Sequence, residues 1–272
     1  MIIIPRRKWI FPMSYEREYM KYCRSIVQAM HEAVKAHVPQ IRNYLDKYRI
    51  DEVESDDLDA IVASIMAYCH NKTIQAVVER KIKAIFEGVN DLNKEEFTAE
   101  IKDAMSVDVF QYDPWLEKMR GLWAQENSQL ITKMTDSYQT RISQIVSDGV
   151  RNGASYSDVA MQIELQTGVE ERHAMLIARD QIGTLNGQLT RARQLDVGIT
   201  QYMWRTSEDE RVRPSHRVRD GKIYSWNKSP DDGAPGMPIQ CRCVALPVIN
   251  TNTLRIGGIP HSEIEAMTAG GR

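Results

Sequence analysis

The residues with the most chemistry in their side chains lie close together near the end of the chain. The segment RVRPSHRVRDGKIYSW, 211–226, carries His216, and PGMPIQCRC, 235–243, carries Cys241 and Cys243 one residue apart. Imidazole and thiolate are ligands of tetrahedral zinc, and Asp209, Asp220, Asp231 or Asp232 could complete such a site. The spacing is less suited: structural zinc sites usually present C-x-x-C, whereas C-R-C on a strand would put its thiols on one face about 6.6 Å apart. Both thiols could reach one ion only if the backbone turns there. The alternative is a buried histidine hydrogen-bonded to loop backbone, with two cysteines as small packing residues. A Cys–His pair is also a nucleophile with its base. No oxyanion element or orienting group accompanies it, so no catalytic residue is assigned.

Around these residues stand Arg205, Arg211, Arg213, Arg217 and Arg219, interleaved with Glu208, Asp209, Glu210 and Asp220. Charges of both signs at this density fit guanidinium–carboxylate pairs that stitch irregular loops, with a phosphate-binding face as the alternative. The structural set expected from this is Arg205, Asp209, Arg211, Arg213 and Asp220, with Gly221 of the Asp-Gly pair supplying a turn at positive φ.

Something must hold these loops in place. The 272 residues are 42% hydrophobic and 26% charged, enough for one large domain or two smaller ones. A net charge of -2 is not that of a protein whose main task is gripping nucleic acid. Cysteines at 23, 69, 241 and 243 point to a reducing compartment rather than a disulfide framework. No stretch reaches the roughly 20 apolar residues of a membrane span, so no membrane partner is expected.

Apolar residues recur at helical spacing over 14–45, where Pro39 would kink the helix, and again from Leu58 to Val89 beyond the acidic run 51–57. Asp56 or Asp57 would cap that second helix. A weaker helix is predicted over 94–106. A long helix follows from Asp113 as cap and Pro114 as its first residue to about 150, with Trp115 and Trp123 as core or interface anchors. Two further helices are predicted, one ending at Gly168 and one running from Glu170 to Leu195. Beyond Gly198, ITQYMWRT, GKIYSW and RCVALPVI read as strands, and Pro247 would suit only an edge or a strand end. The fold class is α+β: long helices followed by a small helix-supported sheet. Residues 1–13 read as an extended arm and 14–150 as an elongated helical domain.

The ordered series ARDQIGTLNGQLTRAR, GITQYMWRTSEDERVRPSHRVRDGKIY and PGMPIQCRC resembles the C-terminal domain of phage Mu F-like head morphogenesis proteins, the minor capsid proteins of tailed bacteriophages. The resemblance covers about 150–249, which makes 151–249 the family domain and 250–272 a tail. It departs at Arg179-Asp180-Gln181, where the family commonly carries Arg-Thr-Glu. It implies a structural protein made in the host cytoplasm and built into the virion near the portal vertex and the inside of the capsid; no cofactor is expected beyond the zinc that His216, Cys241 and Cys243 could hold. Its implied partners are the portal protein, the major capsid or scaffolding protein and packaged double-stranded DNA. For DNA the basic Arg6, Arg7 and Lys8 of the arm are the candidates, with a modest, salt-sensitive contribution. The competing reading is a metal-dependent nuclease or toxin-like enzyme using His216, Cys241 and Cys243.

Overall fold

In a computed structural model of the chain, residues 1–48, 60, 63, 67, 72–106, 113–256 and 259–260 are described. The acidic run 51–57, the start of the second apolar stripe and Cys69 lie outside the described residues, as does most of the tail after 256. The helices are α1 (Met13–Ala36), α2 (Val38–Tyr48), α3 (Lys72–Met105), α4 (Leu116–Arg151), α5 (Tyr156–Asp196) and the single turn α6 (Pro214–Arg217). The strands are β1 (Ile2–Ile3), β2 (Gln201–Arg205), β3 (Ile223–Ser225), β4 (Val244–Asn250), β5 (Arg255–Ile256) and β6 (Ile259–Pro260). The α+β class expected from the sequence is the one observed. Among the described residues, no helix is long and apolar enough to cross a membrane.

The chain forms two compact units. A helical unit comprises Arg17–Ala84 and Ala124–Ala178, and a sheet unit comprises Met1–Glu16, Ile85–Trp123 and Arg179–Arg272. The helical unit is organised as its periodicity dictates. Met30 and Val34 of α1, Ile41 and Leu45 of α2, Tyr138, Ile142 and Val146 of α4, and Val159 and Ile163 of α5 form one buried apolar cluster. Steps of four along α4 keep Tyr138, Ile142 and Val146 on one face. Two polar contacts cross its interior: Tyr19 donates from its hydroxyl to Asn127 Oδ1 at 2.7 Å, and Thr167 Oγ1 lies 2.8 Å from the Tyr138 hydroxyl.

In the sheet unit four strands pair antiparallel in the order β1-β4-β2-β3. One buried cluster joins Val244, Leu246 and Ile249 of β4 to Phe97 and Ile101 of α3 and to Trp9 of the N-terminal segment. Pro247 sits in the second strand of this order, yet β1 reaches only Ile249 and Asn250. At Pro247 the ladder therefore has one partner, Tyr202 of β2. The missing N–H is tolerated as it would be at an edge.

Three boundaries differ from the sequence expectation. The helix of 14–45 is two helices rather than one kinked helix, because Pro39, in the first turn of α2, has no N–H to continue the ladder of α1. Residues 94–106 do not form a separate helix but end α3. The two helices predicted around Gly168 are one, α5. A glycine inside a helix costs about 1 kcal/mol relative to alanine, and here the buried residues Ile163, Thr167, Glu170 and Ala174 continue the inward face past Gly168. Asp113, expected to cap α4, turns its carboxylate elsewhere: Oδ2 lies 3.4 Å from Arg193 Nη2 and 3.6 Å from Lys94 Nζ.

Candidate metal centre

Helix α5 is the platform of the site. Gly183 and Gly187, four residues apart, share one helical face, and the 235–243 loop lies directly against them. A Cβ at Gly183 would stand 2.7 Å from the carbonyl oxygen of Cys241, and one at Gly187 would stand 2.6 Å from that of Pro235. Only glycine allows backbone that close. From the same helix, Asp180 Oδ1 accepts the Gln240 N–H at 2.7 Å, and Gln240 holds a φ of 57°. The acid at the point of departure from the family pattern thus fastens the one strained residue next to Cys241. Helix α5 ends in a reverse turn, with Gly198 at φ 79° and the Ile199 N–H donating to the carbonyl of Gln194 at 2.8 Å.

Strand β2 then carries Trp204, and the chain returns through α6, where Pro214 at the first turn presents His216. Gly221, at φ 74°, donates its N–H to the Trp204 carbonyl at 2.8 Å, which closes the turn into β3. His216 is buried beside Trp204, edge to face with ring centroids 5.1 Å apart.

The backbone turns just before the cysteines, as a common ligand site requires, and both thiols are buried and free. His216 Nδ1 lies 3.6 Å from Cys241 Sγ and 3.5 Å from Cys243 Sγ. All three potential ligand atoms fall within 4.8 Å of one another. The Cys243 N–H points at Cys241 Sγ at 3.4 Å. A hydrogen bond from the Cys243 thiol, with backbone N–H groups of Gly236 and Cys243, lowers the pKa of Cys241 against the effect of burial. The same thiol contact, with burial, raises that of Cys243.

Of the four aspartates expected as additional ligands, Asp232 stands behind the ring, its Oδ2 3.4 Å from His216 Nε2. Asp220 is spent on Thr206, whose N–H and hydroxyl donate to Oδ1 at 2.8 and 3.2 Å, and on Arg205 at 3.4 Å. Asp209 pairs with Arg211 at 3.2 Å, and Asp231 is exposed.

The other arginines bind loop to loop. Arg219 holds Asp232 at 2.6 Å and lies over the Trp204 ring at 5.0 Å, Arg217 donates to the Glu210 carbonyl at 3.1 Å, and Arg213 donates to that of Ile239. A solvent-open cleft of about 680 Å³ faces His216, Cys241 and Cys243 and is flanked by Arg179, Arg211 and Arg213.

Several residues that organise this unit escaped the sequence reading. Arg242, between the two cysteines, lines the same cleft and binds Glu16 through Nε at 2.9 Å and also through Nη2. Glu16 is fully buried and lies 3.4 Å from Arg179 as well. Arg193 is fully buried, donating to Asn93 Oδ1 at 2.5 Å and Asn90 Oδ1 at 2.6 Å, with Trp115 under its guanidinium. Gln194 bridges the Trp226 indole and the Ala245 carbonyl at 3.0 and 2.7 Å. The signal available was the position of Arg193 and Gln194 on the motif-bearing helix.

Fold and site define a helix-backed antiparallel sheet whose long connections are tied by arginines around a His-Cys-Cys cluster. Residues 140–246 match the family described as Phage Mu protein F like protein, and the match includes every residue of the cluster. The chain is 38% identical over 165 residues to an uncharacterized protein of Haemophilus influenzae, which covers 59% of this chain and 37% of that protein. It is 28% identical over 163 residues to an uncharacterized protein of Methanocaldococcus jannaschii, covering 56% of this chain and 26% of the relative. The chain thus spans well under half the length of these relatives. No solved structure matches it.

Proposed function

We propose that this chain is a structural minor capsid protein of a tailed bacteriophage that acts in head morphogenesis and joins the particle near the portal vertex. The observation that carries this reading is the match of residues 140–246 to the Mu F-like family, which takes in the whole tied-loop site. The loop arginines support it, because Arg205, Arg213, Arg217 and Arg219 are engaged within the protein rather than turned to a ligand. That is the behaviour of a rigid module used for docking. The portal protein is the first partner in this reading, with the major capsid or scaffolding protein next, and the virion is the destination. Packaged DNA would meet Arg6 and Lys8, which are exposed, while Arg7 pairs with Glu96 at 3.3 Å. So few charges would give a weak, salt-sensitive contact.

The test is co-expression of the full chain with the portal and major capsid proteins of its own source, followed by gradient sedimentation of the assembled shells. The chain is expected to sediment with portal-containing shells. A chain that stays at the top of the gradient, with shells assembling identically without it, would overturn the proposal.

A further inference from the structure

We infer that His216 Nδ1, Cys241 Sγ and Cys243 Sγ are ligands of one zinc ion whose fourth position opens onto the arginine-flanked cleft. The inference is independent of any role in a phage particle. Zinc bonds of about 2.3 Å to sulfur and about 2.0 Å to nitrogen, at tetrahedral angles, separate a nitrogen and a sulfur ligand by roughly 3.5 Å. The two N···S distances here are 3.6 and 3.5 Å. Nδ1 of a neutral imidazole has one lone pair and satisfies one thiol, yet both thiols are drawn to it and none of the three groups is exposed. Three donors converging on a common point are what a metal site requires.

The surroundings match. Asp232 Oδ2 lies 3.4 Å from His216 Nε2, a charge contact on the side of the ring away from the sulfurs although no hydrogen bond is made to that nitrogen, and Arg219 fixes Asp232 in turn. A carboxylate behind a ligating histidine is the usual means of orienting it. The Cys243 N–H aimed at Cys241 Sγ favours a thiolate there. Two sulfurs and one imidazole select zinc over magnesium, calcium or manganese, which prefer oxygen. None of the aspartates fills the fourth position, since Asp220 and Asp232 are committed elsewhere and Asp209 is held by Arg211. Water from the cleft completes the tetrahedron. An ion there would tie α6 to the loop before β4.

The experiment starts from the full chain purified with reductant, incubated with zinc sulfate and dialysed, then analysed for metal by mass spectrometry. Near-stoichiometric zinc is expected in the wild type, and at least a several-fold loss in Cys243→Ser and in His216→Ala. Cobalt(II) in place of zinc should give sulfur-to-metal charge-transfer absorption and the visible bands of a tetrahedral site, with the charge-transfer band reduced by about half in Cys243→Ser. Because the variants could fail to fold, the wild type is also alkylated with iodoacetamide with and without zinc. Zinc should slow labelling of the peptide containing Cys241 and Cys243 by an order of magnitude or more, with Cys23 as the internal reference. A folded wild type that takes up no zinc, equal labelling of that peptide in both conditions, or full zinc retention in a Cys241→Ser/Cys243→Ser double variant would each overturn the inference.

Discussion

The buried core cluster of the helical unit is built on Val34, Ile41, Tyr138 and Ile142, whereas the fully buried side chains of the sheet unit include Glu16, Glu100, Arg193 and Gln194. The two regions answer the same demand differently. Apolar side chains contribute burial in proportion to area, and a truncation costs what the lost contacts and the remaining cavity amount to. Buried polar groups contribute little net while paired and penalise heavily once a partner is gone. The helical unit should therefore lose stability by degrees, and the sheet unit by single substitutions at its polar joints.

The largest effect that would sharpen this contrast is expected at Arg193. Its removal leaves Asn90 and Asn93 without their donor and Asp113 with Lys94 alone. Arg193→Met should destabilise the sheet unit by roughly 4 kcal/mol, and Arg193→Lys by about half of that, because an ammonium cannot reproduce the fork. All five tryptophans, Trp9, Trp115, Trp123, Trp204 and Trp226, belong to the sheet unit, so urea unfolding followed by tryptophan fluorescence reports on it. A near-neutral Arg193→Met would mean that the polar joint is replaceable by packing, and the contrast between the units would fall.

Next in size is the matching substitution in the apolar unit. Ile142→Ala opens a cavity against Met30, Val34 and Tyr138 and should cost about 3 kcal/mol, with Ile142→Val costing about 1 kcal/mol. Circular dichroism, dominated by the helices, should record the shift. A graded series of this kind is the signature of packing, and an equal loss for Val and Ala would break the comparison from the other side.

How far these features could be read in advance follows the same division. The face of α4 was legible because Tyr138, Ile142 and Val146 repeat with the helical period, and β2, β3 and β4 were legible from aromatic and β-branched runs between Gly- and Pro-rich loops. The approach of His216 to the two cysteines was readable as chemistry but not as geometry, since it depends on Gly183 and Gly187 admitting a loop from roughly fifty residues away. The helix ends at Gly168 and at 94 were misplaced because a local glycine or charge cluster outweighs nothing when burial continues on both sides. Arg193, Glu16 and Arg242 were invisible for a further reason. A charged residue looks solvated in sequence, and only the arrival of its partner from elsewhere in the chain makes its burial tolerable.

Glu100 tests that last point with a group whose partner never arrives. It is fully buried in α3, and neither carboxylate oxygen has a hydrogen-bond partner among the described residues. Burial first, and the charges of Glu96 and Asp103 after it, raise its pKa from 4.5 to about 8, against the opposing charge of Arg7. The folded state therefore holds a proton that the unfolded chain has given up between those two values. Stability tied to this proton is complete below the ordinary carboxylate pKa and is lost as pH rises toward about 8. Glu100→Gln keeps the shape of the protonated acid and cannot ionise. At mildly acidic pH the variant should unfold at nearly the wild-type urea concentration, while in mildly alkaline solution it should be the more stable by a few kcal/mol. The measurement is the fluorescence-detected urea midpoint of both proteins across that range. Parallel curves would mean that Glu100 ionises without cost, and the sheet unit would then tolerate an unpaired buried charge that the Arg193 joint is predicted not to tolerate.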